Sequence, residues 1–144
     1  MSLRLDDQIC FPLYAASRAV QQRYRPLLDR IGLTYTQYLV MMVLWEEDGL
    51  SMKELGGRLY LDSGTLTPLL RRLEDAGRVR RERSTKDARV VHVHLTAAGR
   101  TLRDDAQVVP GGLTACLPRP AEPIDVAALK VILDRLVHVL HESP

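Results

Sequence analysis

Two thiols are the most chemically distinctive side chains of this sequence. Cys10 and Cys116 are its only cysteines, and they lie 106 positions apart in a chain of 144 residues. Two cysteines cannot form the multi-bridge disulfide framework of a small secreted domain. We therefore expect a protein of a reducing compartment, the cytoplasm, where cysteine chemistry is more often reactive than structural.

The neighbours of Cys10 allow two interpretations. Between Ile9 and Phe11, a cysteine is commonly a small buried apolar residue. A reactive thiol is favoured by the predicted start of a helix close to Cys10, since the helix dipole stabilises a thiolate at that end. Tyr14 lies one helical turn further on and can donate a hydrogen bond to a sulfur anion. The apolar neighbours could also form a pocket for an alkyl or lipid-like peroxide.

Positive charge is concentrated in residues 71–89. The net charge of the whole chain is +2, but this segment carries +4 and the remainder −2. A basic patch confined to one stretch is typical of a nucleic-acid-binding surface, although an ordinary solvated face is also common. The segment contains eight basic side chains: Arg71, Arg72, Arg78, Arg80, Arg81, Arg83, Lys86 and Arg89.

Other chemistry has little support in the sequence. His92 and His94 alternate along a predicted strand, and His138 and His141 lie about one helical turn apart. No cysteine or carboxylate completes a metal site at a familiar spacing, so solvated histidines are the better interpretation. The sequence also lacks a phosphate-binding glycine loop and a nucleophile elbow. We predict no metal and no cofactor.

The elements that must position these groups are mainly helical. The longest uncharged run has 15 residues, some of them polar, and is too short to span a bilayer. The N-terminus has no secretory signal pattern, and we expect no membrane association. Periodicity predicts four helices, two strands and two further helices. Their expected positions are 8–29, 35–46, 51 to 59 or 60, 63–76, strands 79–83 and 89–95, a helix from Thr96 to near Val109, and a last helix capped by Asp125. Capping signals are Thr34 with Gln37, Ser51 with Glu54, Asp62-Ser63, Thr96 and Asp125.

Two short capped helices followed by a basic hairpin are the element order of a winged helix-turn-helix. The second of these helices has leucines at core spacing on one face. Its other face is small, polar or basic, as in a helix that lies in the major groove of DNA. We therefore predict DNA contacts from Ser63, Thr65, Thr67 and Arg71.

Several segments resemble the MarR family of dimeric winged-helix repressors. They are residues 50–55, the Asp87-Ala88-Arg89 triplet and Leu95-Thr96. The resemblance implies that Asp87 orients Arg89 and that the Arg89 guanidinium enters the minor groove. Other basic side chains of the helix and wing would then contact phosphates without reading sequence. These are Arg72, Arg80, Arg81, Arg83 and Lys86.

Further segments resemble the organic hydroperoxide resistance regulators, a branch of that family. They are residues 8–18, 24–28, 33–38 and 59–68, and the resemblance weakens beyond about Arg103. It implies that Cys10 is the peroxide-sensing cysteine and that Tyr24 and Tyr35 supply hydroxyls from the opposite subunit, beside Tyr14. Some members carry a second cysteine near the C-terminus that forms a disulfide between subunits. We therefore expect Cys116 to resolve oxidised Cys10.

Together these inferences predict a mainly α, MarR-like homodimer with a small β-hairpin wing. Residues 1–32 form the sensor and dimerisation helix, 33–96 the winged helix-turn-helix, and 97–144 the C-terminal dimerisation helices. The protein represses transcription at a pseudo-palindromic operator and releases it when an organic hydroperoxide oxidises Cys10. A MarR-type regulator that binds a phenolic or other small ligand without covalent chemistry is an alternative. A thiol peroxidase is a less favoured one, since the chain has no Cys-x-x-Cys motif, and we predict no enzymatic activity.

Overall fold

The computed structural model describes residues 2–109 and 124–142, in which the helices and strands follow the predicted order. The chain divides into two compact units, residues 1–113 and residues 114–144. The predicted class, mainly helical with a small β-hairpin, is confirmed. After a short 3-10 turn (Leu5–Asp7), the elements are α1 (Cys10–Asp29), α2 (Tyr35–Glu46), α3 (Met52–Leu59), α4 (Ser63–Asp75), β1 (Val79–Arg83), β2 (Val91–Leu95), α5 (Ala97–Ala106) and α6 (Val126–Glu142).

Side-chain caps begin the helices at the predicted residues. Thr34 with Gln37, and Ser51 with Glu54, form reciprocal capping boxes at the starts of α2 and α3. Each box satisfies backbone N–H groups that have no partner within the helix. Single side-chain caps begin the other three helices that had predicted caps: Asp62 for α4, Thr96 for α5 and Asp125 for α6.

The core of the first unit lies between the end of α1, helices α2, α3, α4 and α5, and the inner face of the hairpin. Trp45 packs against it from a partly buried position. Among the described helices, none is long and apolar enough to cross a membrane. The largest fully buried side chains are Leu28, Met41, Leu44, Leu55, Leu66, Leu70, Leu73, Val40, Val79, Val93 and Val109.

The returning strand of the hairpin starts later than predicted. β1 and β2 pair antiparallel, with Val79 opposite Leu95 and Arg83 opposite Val91. Arg89 was expected in the strand, but its backbone N–H donates to the Asp87 carboxylate at 3.0 Å. The N–H of Val90 donates to the carbonyl of Asp87, also at 3.0 Å, so both residues belong to the turn.

Other helix ends differ slightly from the prediction. α1 continues through Pro26 and ends at the predicted Asp29, whereas α5 ends at Ala106, before Val109. α4 ends at Asp75, and Gly77 then adopts a φ of +71°, a conformation that suits glycine. Cys116 and the segments 110–112 and 118–123, which contain glycine and proline, lie outside the described residues.

Candidate DNA interface and thiol site

Helix α4 presents one polar face and buries the other. Asp62 caps it, accepting a hydrogen bond of 2.8 Å from the Thr65 N–H. Its buried side chains are the four leucines at core spacing: Leu66, Leu69, Leu70 and Leu73. The predicted DNA-facing residues lie on the other side: Ser63, Thr65, Arg71 and Arg72 are exposed and Thr67 is half-buried. The polar face is therefore available to a groove of DNA.

The hairpin tip holds an ordered aspartate–arginine pair. Asp87 Oδ1 accepts from the backbone N–H of Arg89 at 3.0 Å and from its Nε at 3.2 Å. The Arg89 backbone bond, followed by its side-chain bond, holds the pKa of Asp87 below its ordinary value. The Arg89 side chain is 91% exposed. Asp87 thus restricts the direction of a guanidinium that projects into solvent.

The remaining basic side chains of the hairpin divide into exposed and engaged groups. Arg80 is exposed and pairs with Glu82 at 2.6 Å. Arg83 donates to the carbonyl of Ala88, and Lys86 is exposed at the tip. Arg81 is half-buried, and its guanidinium is bound to Glu74 of α4. We expected all four beside phosphates, but the structure places the Arg81 guanidinium against the recognition helix.

Cys10 is the first residue of α1, and its side chain is exposed. Its position at a helix N-terminus matches the prediction. Ile9 is 74% exposed and Phe11 is also exposed, so one chain does not enclose an apolar pocket around the thiol in the part that the structure describes. The Tyr14 hydroxyl lies 3.4 Å from Arg18 Nη1, and the Arg18 guanidinium stacks over the Tyr14 ring.

The other two predicted pocket tyrosines, Tyr24 and Tyr35, lie in an aromatic cluster with Tyr38 and Trp45, which are not among the predicted site residues. Tyr24 of α1 has its ring centroid 5.4 Å from that of Tyr35 and 6.4 Å from that of Tyr38. Tyr38 is buried and makes an edge contact with Trp45 at 6.3 Å. Burial, followed by the influence of Tyr24, raises the pKa of Tyr35. The Tyr35 hydroxyl therefore stays protonated and able to donate near neutral pH.

Tyr24 and Cys10 of the same chain are far apart. They are separated by 14 positions along one continuous helix, which at 1.5 Å per residue places them about 21 Å apart. A tyrosine hydroxyl cannot bridge this distance. If Tyr24 and Tyr35 contact a Cys10 sulfur, it must be that of another subunit.

The histidines are engaged in local contacts. His92 Nδ1 lies 3.1 Å from the carbonyl oxygen of Gly49, and His94 Nε2 lies 3.8 Å from Glu82. His138 pairs with Glu142, and His141 lies 2.9 Å from the Val137 carbonyl oxygen. Within residues 2–109 and 124–142, no group of three or more histidine, cysteine, aspartate or glutamate side chains could hold a metal ion.

The chain is similar to known transcriptional regulators. The profile of the transcriptional regulator SarA/Rot family matches residues 22–106. The organic hydroperoxide resistance transcriptional regulator of Bacillus subtilis (strain 168) is 43% identical over 141 residues, which cover 98% of this chain and 95% of that protein.

Solved structures of AbfR of Staphylococcus epidermidis are also similar to the chain. Reduced AbfR bound to DNA matches with a TM-score of 0.79 at 37% identity, over 96% of this chain and 94% of that one. Overoxidized AbfR bound to DNA gives a TM-score of 0.77 with the same identity and coverage. Disulfide-formed AbfR gives a TM-score of 0.67 at 36% identity, over 96% of this chain and 93% of that one.

Proposed function

This chain belongs to the MarR family of winged-helix transcriptional regulators, in the branch of the organic hydroperoxide resistance regulators, and from that premise we propose that it is a peroxide-sensing repressor. It binds operator DNA as a homodimer while Cys10 is reduced and leaves the DNA when an organic hydroperoxide oxidises that thiol. The observation that carries the proposal is an exposed Cys10 at the first residue of α1, in a chain that presents α4 and Arg89 toward solvent.

The proposed chemistry begins at the Cys10 sulfur. The thiolate attacks one oxygen of the hydroperoxide, the O–O bond breaks, and the alkoxide takes a proton and leaves as an alcohol. The sulfur is oxidised by two electrons to a sulfenic acid, and the peroxide is reduced by two. The Cys116 thiolate of the partner subunit then attacks the sulfenic sulfur. An S–S bond forms, the S–O bond breaks, and the oxygen leaves as water after protonation.

The distance along α1 supports a dimer. Because Cys10 lies about 21 Å from Tyr24 of its own chain, only the tyrosines of a second copy can complete a sensor site around the Cys10 sulfur. The start of α1 and the residue before it also expose apolar side chains, Ile9, Phe11, Leu13 and Tyr14, that need a partner surface. Two copies related by a two-fold axis would present two α4 helices to successive major grooves of a pseudo-palindromic operator.

The AbfR structures include a disulfide-formed state of a similar regulator beside the reduced and overoxidized states bound to DNA. We propose the same route here, with Cys10 of one subunit pairing with Cys116 of the other. Two symmetric bridges would then constrain the spacing of the two α4 helices, which couples the thiol chemistry to operator release.

One cavity favours the second candidate, a regulator that binds a small ligand without covalent chemistry. A cavity of about 530 Å³ lies between α3, α4 and the wing. It is lined mainly by apolar side chains, and Lys53 and Arg89 lie at its border, so an anionic aromatic molecule would fit its chemistry. Occupancy of this cavity would restrict Arg89 directly.

The test measures DNA affinity before and after a stoichiometric amount of cumene hydroperoxide. A duplex selected from a random-sequence pool by the reduced wild-type protein serves as the probe. The wild type should lose the duplex and recover it with a thiol reductant, whereas Cys10→Ser should bind it throughout. If Cys10→Ser released the DNA as the wild type does, the redox proposal would fail and the ligand-binding candidate would replace it. Catalytic consumption of peroxide with a dithiol reductant would instead favour the thiol peroxidase.

A further inference from the structure

The outer edge of β1 is held by the recognition helix. In a two-stranded sheet, alternate N–H groups of each strand point away from the partner strand and need another acceptor. The backbone N–H of Arg81 donates to Glu74 Oε1 at 2.9 Å. The Arg81 guanidinium donates to Glu74 Oε2 through Nε at 3.0 Å and through Nη2 at 2.8 Å. One carboxylate of α4 therefore accepts three hydrogen bonds from one residue of the hairpin.

The turn between α4 and β1 sets up this contact. The N–H of Gly77 donates to the carbonyl of Glu74, and the N–H of Arg78 donates to that of Leu73, both at 2.9 Å. With Gly77 at positive φ, the chain reverses in two residues and β1 runs back beside the last turn of α4. Glu74 and Arg81 are both partly shielded from water, with side chains 33% and 26% exposed.

The opposite edge of the hairpin is held by a different part of the fold. The N–H of Val93 donates to the carbonyl of Leu50, and the N–H of Leu95 donates to Asp48 Oδ1, both at 2.8 Å. Those acceptors lie between α2 and α3. The Glu74–Arg81 pair is thus a direct polar link between the hairpin and α4, the helix whose polar face is available to DNA.

We propose that Glu74 is a positioning residue for DNA binding. Through Arg81 it fixes the hairpin, and with it the Asp87–Arg89 pair, at one distance from the polar face of α4. Arg81 serves as the partner of Glu74 and not as a phosphate ligand. This inference rests on the proposed DNA-binding function. A preorganised wing contacts its groove without first losing conformational freedom, which strengthens binding when helix and wing must engage together.

The direction in which DNA affinity changes when Glu74 is neutralised distinguishes a positioning role from simple charge repulsion. A carboxylate near a DNA-binding surface repels phosphates, so its neutralisation ordinarily strengthens binding. Glu74→Gln preserves the shape of the side chain but places an amide NH₂ against the Arg81 guanidinium. Positioning therefore predicts weaker binding to the selected duplex. Asp75→Asn is the matched control, because it removes the same charge from the next, exposed residue of α4.

The experiment measures binding to the selected duplex and to an unselected duplex of equal length, at several salt concentrations. Every variant is assayed at a temperature where its own unfolding curve shows it to be fully native. We expect Glu74→Gln to lower affinity for the selected duplex about tenfold, the scale of one specific contact, with no loss on the unselected duplex. Asp75→Asn should slightly strengthen binding to both duplexes.

Salt dependence tests the role of Arg81. Arg81→Met should weaken selected binding without changing the slope of affinity against salt, whereas Arg80→Met should reduce that slope by about one. The double variant Glu74→Gln with Arg81→Met should lose no more affinity for the selected duplex than the single variant that binds it more weakly. Equal or tighter binding by Glu74→Gln, or a reduced slope for Arg81→Met, would overturn the inference. A wild type that selects no duplex would instead overturn the proposed function on which the inference rests.

Discussion

The backbone of Leu61 packs directly onto Gly56. The Leu61 N–H donates to the Gly56 carbonyl at 2.9 Å, and a Cβ added at Gly56 would lie 2.6 Å from the Leu61 carbonyl oxygen. The turn between α3 and α4 therefore lies against the middle of α3. This contact sets how closely the two helices of the helix-turn-helix approach.

Gly56 and Gly57 should respond oppositely to alanine. Gly56→Ala forces the Leu61 backbone to move and should destabilise the fold by roughly 1–3 kcal/mol, the usual range for overpacking. Gly57→Ala meets nothing within 4 Å and should stabilise it by up to about 1 kcal/mol through helix propensity. Urea unfolding of both variants checks this. Equal effects of the two substitutions would show that the Leu61 contact places no constraint on the fold.

Removing the Arg89 side chain should weaken operator binding. Arg89→Ala should lose roughly 1–3 kcal/mol of binding free energy, the scale of a specific base contact. Asp87→Ala should weaken binding less, because it frees the guanidinium without removing it. Affinity for the selected duplex measures both, with Lys86→Ala as a tip variant that should change mainly the salt dependence. Wild-type affinity in Arg89→Ala and Asp87→Ala at physiological salt would exclude the wing as a DNA contact.

Trp45 should contribute to stability through a single long-range bond. Its Nε1 donates to the carbonyl of Gly99 at 2.9 Å, which ties α2 to the start of α5. Trp45→Phe keeps most of the aromatic surface but removes this hydrogen bond between α2 and α5, at a cost of about 1 kcal/mol. Denaturant unfolding followed by circular dichroism measures the change. An unaltered unfolding midpoint would contradict this role.

Acid should remove the stabilising effect of Glu74. The backbone N–H of Arg81, then its side chain, lowers the pKa of Glu74 from its ordinary 4.5. A carboxyl whose pKa is lower in the folded state stabilises the fold at pH values above its unfolded pKa. That stability is lost as pH falls below about 4.5 through the folded pKa. The difference in unfolding free energy between wild type and Glu74→Gln should therefore be constant near neutrality and shrink in this acid range.

Non-reducing electrophoresis tests the proposed partner of Cys10. Wild-type protein treated with a stoichiometric amount of cumene hydroperoxide should run at the size of a dimer and return to monomer with a reductant. The dimer band should be absent in both Cys10→Ser and Cys116→Ser. A monomer band that persists in the oxidised wild type would make this protein a one-cysteine sensor, in which the sulfenic acid acts without a disulfide.

Local patterns in the sequence were sufficient to predict the helices, the strands and the residues that cap the helices. Thr34, Ser51, Asp62 and Thr96 each cap the helix predicted for them, because a cap depends on residues only three positions apart. The polar face of α4 followed from the same short-range spacing.

Contacts between distant residues were not predictable in this way. The sequence predicts a phosphate contact for Arg81 because the charge of Arg81 is visible in the sequence and its partner is not. Glu74 reaches it only after the Gly77 turn reverses the chain. The Tyr24–Tyr38 and Trp45–Gly99 contacts likewise join separate helices. Amphipathic periodicity predicts which face of a helix is buried, but not which side chain of another element it meets.

The hydrogen bonds along the two edges of the hairpin have a consequence for self-association. Exposed strand edges are templates for strands of other molecules and a common origin of aggregation. On one edge, the Glu74 carboxylate accepts from the Arg81 N–H. On the other edge, the Leu50 carbonyl accepts from the Val93 N–H and the Asp48 carboxylate from the Leu95 N–H. An incoming strand would have to displace these acceptors. These bonds therefore lower the tendency of the small sheet to add a further strand at either edge, while its charged tip extends into solvent.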